Sequence, residues 1–124
     1  MPEIVITTTV EVDGQPIPGF PIIERLVTNN AIPLAGVQIQ PTGGTVTYVA
    51  LPSLFQNPLQ VLILRTDAAL NIKVNGSATP IPMLANSQLT IFNTNIVVGA
   101  ATAILVNNPD TVVVANLLGL TAGQ

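Results

Sequence analysis

The sequence predicts an all-β fold, a single antiparallel β-sandwich of about eight strands, and three observations carry that prediction. Runs rich in Val, Ile, Thr and Leu recur at intervals of roughly a dozen residues. Turn-forming residues separate them, with 9 Gly and 11 Pro among 124 residues. No stretch repeats apolar residues at helical spacing for more than about one turn. Strands without intervening helices pack as a sandwich or barrel, not as an α/β sheet. A chain of 124 residues has room for one domain, residues 1–124, and one core.

Ile4 to Val12 alternates, with Ile4, Ile6, Thr8, Val10 and Val12 on one face, and reads as a strand. Asp13-Gly14 supplies a turn dipeptide, and Pro16, Pro18 and Pro21 follow too closely for a helix or a central strand. Ile22 to Thr28 can form a second strand. Asn29-Asn30, Pro33, Gly36, Pro41 and Gly43-Gly44 then break the chain repeatedly, so residues 29–44 read as loop with one short strand around Val37 to Ile39. Residues 13–44 together form a Pro- and Gly-rich extended region within the domain.

Thr45 to Val49 is strand-like, and Pro52 to Pro58 leaves room for a single helical turn around Ser53 to Gln56. The clearest hairpin signal is Val61 to Thr66, a loop at Asp67-Ala68-Ala69, and Leu70 to Asn75, closed by Asn75-Gly76. A three-residue loop sets Arg65 across from Asn71 and Ile63 across from Lys73. Leu62, Leu64, Leu70, Ile72 and Val74 then share the core face. Gln88 to Asn93 makes a further strand, Thr94-Asn95 a turn, Ala100 to Val106 another strand, and Val112 to Leu118 the last. Ile96-Val97-Val98 and Val112-Val113-Val114 do not alternate, which predicts cover on both faces, the second from a loop or another subunit.

Composition narrows function. The chain is 48% apolar but carries only three basic and six acidic residues, 7% of the total, where an ordinary domain has about a quarter charged. Apolar surface with little charge favours association, so the chain reads as a component of an assembly. A net charge of −3 offers no electrostatic footprint for phosphate backbones, and nucleic-acid binding is not expected. The N-terminus lacks a basic segment followed by an unbroken apolar one, so it does not read as a secretory signal. Ile96 to Leu120 is long enough to cross a bilayer. However, Asn107-Asn108-Pro109-Asp110 interrupts it and the flanks favour strands, so two strands and a turn are expected in place of a membrane span. No internal repeat or flexible linker is evident.

Catalytic chemistry lacks its side chains. The composition includes no His and no Cys, which removes the usual nucleophile–base pairs and thiolate or zinc sites. Of the acids, Glu11 and Glu24 fall on solvent-facing strand positions, Asp13, Asp67 and Asp110 sit where turn residues belong, and no aromatic platform accompanies them. Gly43-Gly44 has no following helix or Lys to make a phosphate cradle. The acids are scattered, so a Ca²⁺ shared between subunits is the one metal site left open. The expectation is a non-enzyme that needs no cofactor.

Two regions stand out as partner surfaces. The second face of the predicted hairpin carries Val61, Ile63, Arg65, Asn71, Lys73 and Asn75, uniting two of the three cations with exposed β-branched residues. It reads either as a solvated face guarded by Arg65 and Lys73 or as a contact centred on Ile63. The Pro-rich arm carries Ile17 and Phe20, too apolar to stay in water, and part of it should pack on a neighbouring subunit or on the larger assembly the chain joins.

The runs VLILRT (Val61 to Thr66), NIKVNG (Asn71 to Gly76), QLTIFN (Gln88 to Asn93) and AILVN (Ala103 to Asn107) resemble in style the small single-domain β-sandwich virion proteins of tailed bacteriophages. The resemblance covers residues 60 to 124 and has no diagnostic motif. It implies a jelly-roll-like sandwich and a structural role on the capsid surface. On that reading the chain is a decoration or cement protein, a homotrimer that bridges subunits of the major capsid protein or binds another virion protein. The alternative from the same resemblance is a tail or fibre β-domain that binds a cell-surface glycan or receptor.

Overall fold

The computed structural model describes residues 1–42, 47–51, 59–74, 79–96 and 104–123. Among them the fold is all-β with no helix. Its strands are β1 (Glu3–Thr8), β2 (Glu11–Val12), β3 (Gln15–Pro16), β4 (Ile22–Val27), β5 (Asn30–Ile39), β6 (Val49–Ala50), β7 (Leu59–Thr66), β8 (Leu70–Val74), β9 (Ile81–Met83), β10 (Ser87–Ile96), β11 (Ile104–Asn107) and β12 (Ala115–Gly123). They form two four-stranded antiparallel sheets, ordered β10-β7-β12-β5 and β6-β11-β8-β9, and two two-stranded ladders, β1-β4 and β2-β3. From β5 to β12 every connection passes from one four-stranded sheet to the other, except β8 to β9.

The two larger sheets bury their apolar residues in one cluster. Leu62, Leu64, Leu117 and Leu34 come from the first sheet, and Leu70, Ile72, Met83, Ile104 and Val106 from the second. All five residues expected on the core face of the hairpin are in or against this cluster, Val74 at its margin. Their pairing differs from the expectation. β7 is hydrogen-bonded to β10 on one edge and β12 on the other, so no edge remains for β8, which pairs with β11 and β9 instead. Residues 67–69 therefore form a corner between sheets. Thr66 shapes it, its hydroxyl donating to Ala68 O at 2.7 Å and accepting from Ala68 N at 3.2 Å. No residue of this link has the positive φ that a three-residue hairpin loop uses.

Other expectations shift as well. Residues 30–39, expected to be mostly loop, form the ten-residue strand β5. Pro33 is tolerated because β5 is an edge strand, and Gly36 (φ 69) fits a bulge where Ala35 and Gly36 oppose Leu118. The expected turn at Thr94-Asn95 is an irregularity inside β10. Val112 to Val114 precede β12 and are not covered on both faces, since Val112 and Val113 are exposed. The single strand expected from Ile4 to Val12 divides into β1 and β2. The helical turn at 53–56, the Asn75-Gly76 turn and Val97-Val98 lie outside the described residues.

The β1-β4 ladder creates a second, smaller core. Its register pairs Ile4 with Leu26 and Ile6 with Glu24. Ile4, Ile6 and Leu26 cluster with Val61, Ile63, Phe92, Leu120 and Ala122, which lie on the face of the first sheet opposite the main core. Thr28 N donates to Pro2 O, and Asn29 N to Gly123 O, each at 3.0 Å, tying the ladder to the end of β12. Gly119 of β12 lies so close to β7 that a Cβ there would overlap the Ile63 carbonyl.

Candidate functional site

The connections β5–β6, β7–β8, β9–β10 and β11–β12 meet at one end of the two sheets, joined by bonds between Thr42 and Asn108 and between Asp67 and Asn116. Two consecutive amides organise this end. Asn108 is fully buried, and its Nδ2 donates to Ile39 O at 2.9 Å and Val113 O at 2.8 Å while its Oδ1 accepts from Asp110 N at 3.1 Å. Asn107 donates to Thr47 O at 2.9 Å and accepts from Asn71 Nδ2 at 3.4 Å. A buried amide stays favourable only when its donors and acceptors are matched, so these bonds hold the loops in one arrangement.

Asp110 then shapes the tip of the β11–β12 loop. One carboxylate oxygen accepts from the N–H groups of Val112 and Val113, at 2.9 and 3.0 Å. Those bonds favour the ionised form and hold Asp110 below the ordinary carboxylate range. The loop presents Val112 at 78% exposure, and the β9–β10 loop presents Leu84 at 76%.

Beside these tips lies an open cleft of about 200 Å³, lined by Arg65, Thr66, Asp67, Asn86, Asn116 and Leu118. Arg65 and Leu118 are cross-strand partners on β7 and β12, and both are exposed. Asn86 adopts positive φ (59) in the tight link before β10, where Ser87 Oγ donates to Leu84 O. Asp67 does not pair with Arg65, two residues away. Its two oxygens accept from Asn116 Nδ2 and Asn116 N, both at 2.8 Å, and these bonds lower its pKa. Arg65 lines the cleft without an ion-pair partner among the described residues.

The structure separates the residues that the hairpin reading had united. Val61 (0% exposed) and Ile63 lie beneath the β1-β4 ladder. The reason is that the N-terminal arm folds onto its own sheet and takes the apolar face for itself. Lys73 projects from the other sheet, its Nζ 4.3 Å from the centroid of the Tyr48 ring. Only Arg65 of the four reaches the loop end. Ile17 and Phe20 lie half-buried between β3 and β4, linked by Phe20 N donating to Ile17 O. Leu84, Val112, Leu118 and the Asn107-Asn108 pair were missed. The Asn-Asn-Pro-Asp run was readable as a loop signal, but its burial depends on residues far away in sequence.

Among the described residues no three His, Cys, Asp or Glu side chains gather as a metal site, and no helix is long and apolar enough to cross a membrane. No protein-family model, curated protein or solved structure matches this chain.

Proposed function

We propose that this chain is a structural virion protein, a decoration or cement subunit that bridges capsid proteins and acts as a homo-oligomer on the capsid surface. The supporting observation is the strand order. Counting β5 to β12 as eight strands, the first lies beside the eighth, third and sixth, and the second beside the seventh, fourth and fifth. This order supports a jelly-roll-like sandwich, a fold used by capsid proteins, lectins and cupins. Within that set, His-ligated metal sites and His- or Cys-based catalysis lack their side chains in this composition, and the six acids are scattered along the sequence. A bridging role needs only well-fixed surface, and Leu84 and Val112 on loops and Leu118 on β12 supply its apolar part, the Val112 loop being held by buried Asn108.

The mechanism is geometric. Apolar area removed from water at about 25 cal/mol per Å² is modest at any one contact, but repeated contacts across a lattice add through avidity. The test is co-sedimentation of the purified chain with shells assembled from the major capsid protein of the same genome, if its genome encodes one, comparing wild type with Val112→Asp. Binding by wild type that the variant loses supports the reading. No binding by wild type, with a positive glycan array, would replace it with the receptor-binding alternative.

A further inference from the structure

We propose that copies of this chain associate head to tail, with the β2-β3 hairpin of one copy seating Val12 and its flanking carboxylates in the Arg65 cleft of the next. The inference begins with a count of charges. Of the three cations, Arg25 pairs with Glu3 at 3.3 Å and Lys73 stacks on Tyr48, leaving Arg65 without a charged or aromatic partner among the described residues. Of the six acids, Glu3, Asp67 and Asp110 have partners, and two of the remaining three, Glu11 and Asp13, sit on the hairpin. The unpartnered cation and these carboxylates are on separate parts of the chain, and a second copy unites them.

Shape agrees with charge. The hairpin has two residues in each strand, and every residue from Glu11 to Pro16 is exposed. So short a ribbon is marginal alone. Yet its turn is well specified, with Asp13 (φ 51) and Gly14 (φ 76) both in the left-handed region that a two-residue type I′ loop needs. Val12, 56% exposed, joins neither apolar cluster. The cleft of about 200 Å³ is too small for a helix or a strand but suits one β-branched side chain with a carboxylate beside it. Leu118 supplies the apolar wall, while Arg65 supplies paired N–H donors whose planar geometry matches a carboxylate. A contact joining two different patches is heterologous and closes into a ring when its rotation permits, the trimer being one such ring.

This contact needs no other protein, so it is tested on the isolated full chain and stands or falls separately from the capsid reading. The mass of wild type, Arg65→Glu, Glu11→Arg, the double variant and a Glu24→Arg control is measured by light scattering across micromolar concentrations, with melting curves confirming that each folds. Wild type and the control should form a closed assembly. Each single variant at the contact should raise the concentration for half-assembly by on the order of a hundred-fold, through like-charge contact. The double variant, with its charges exchanged, should recover assembly. A monomeric wild type, single variants that assemble like wild type, or a double variant no better than either single variant would each overturn the proposal.

Discussion

Replacing Asn108 with Asp exchanges one buried NH₂ for an oxygen of nearly the same size, which makes it a clean probe of the loop-end network. The Oδ1 that accepts from Asp110 N is retained, while both N–H donations, to Ile39 O and Val113 O, are lost. A buried carbonyl left without its donor costs about 1–3 kcal/mol. The protonated acid keeps one O–H that donates to one of the two carbonyls, so its cost is about 1–3 kcal/mol, whereas the ionised acid satisfies neither and costs at least about 3 kcal/mol. Ionisation adds to this, because a carboxylate facing two carbonyl oxygens in a fully buried site is disfavoured and its folded pKa rises above the unfolded value.

The sign of the pH dependence follows. A group whose folded pKa is raised favours the fold below its unfolded pKa of about 3.9, and that advantage is lost as pH rises toward the folded pKa. Asn108→Asp should therefore be least destabilised in acid and increasingly so toward neutrality. Asn108→Ala should show a deficit that does not change with pH. At about 4 °C per kcal/mol for a domain of this size, the Asp variant should melt at least about 12 °C below wild type at pH 7. Melting curves from pH 3 to 7 for the three proteins decide it. An Asp variant melting within about 2 °C of wild type, or one whose deficit is as flat with pH as that of Ala, would refute the role assigned to Asn108.

Three further outcomes follow from the packing. Gly119→Ala places a Cβ on the Ile63 carbonyl and should separate β12 from β7 locally, lowering the melting temperature by several degrees per kcal/mol of a loss of about 2–4 kcal/mol. Val61→Asp buries a carboxylate beneath the β1-β4 ladder and should cost several kcal/mol in chemical denaturation, whereas Arg65→Ala, on the same face of the same strand, should leave the midpoint nearly unchanged. Asp67 should titrate below the ordinary carboxylate range in an NMR pH series, and Asn116→Ala should return it upward. Because its folded pKa is depressed, the stability it contributes is present above the unfolded pKa and is lost as pH falls through the folded one.

Residue burial was legible in this sequence to a degree that strand pairing was not. Leu62, Leu64, Leu70 and Ile72 were assignable to a core from alternation alone, because the period-2 pattern is local. Whether β8 pairs with β7 or crosses to another sheet depends on β10 and β12, which arrive later in the chain and occupy both edges of β7. Proximity in sequence favoured the hairpin, and long-range pairing overrode it. The missing Gly or Asn in Asp67-Ala68-Ala69 was the local sign that no hairpin turn would form. Pro33 misled in the same way: proline argues against a central strand, but the position is at an edge. The turn at Asp13-Gly14, whose chemistry is wholly local, has the conformation its residues demand.

That separation between local and long-range information bears on where function is sought. Both candidate partner surfaces read from sequence, the hairpin face and the Pro-rich arm, carry apolar residues for which the local pattern offers no cover. In the fold the β1-β4 ladder covers the hairpin face, with Ile4, Ile6 and Leu26 clustered on Val61 and Ile63, while Ile17 and Phe20 are half-buried between β3 and β4 and lie outside that cluster. Exposed apolar side chains remain on the β1-β4 ladder, at Val5, Ile22, Ile23 and Val27, as well as at Val12 on the hairpin and at Leu84, Val112 and Leu118 at the loop end. The loop end also holds the polar network of Asn107 and Asn108. Replacing buried polar groups with well-packed apolar ones is often neutral or stabilising, so a network centred on Asn108 is a costly way to gain stability alone. Its distinctive effect is to fix loop shape, and fixed shape with exposed apolar tips lowers the entropy lost on docking. The same logic applies to the hairpin, where Asp13-Gly14 sets the geometry of a ribbon that buries little in its own chain. Two uncovered elements, a projection carrying Glu11 and Asp13 and a cleft that presents Arg65 while Asp67 is bound to Asn116, are the physical requirements of a subunit that assembles by repetition.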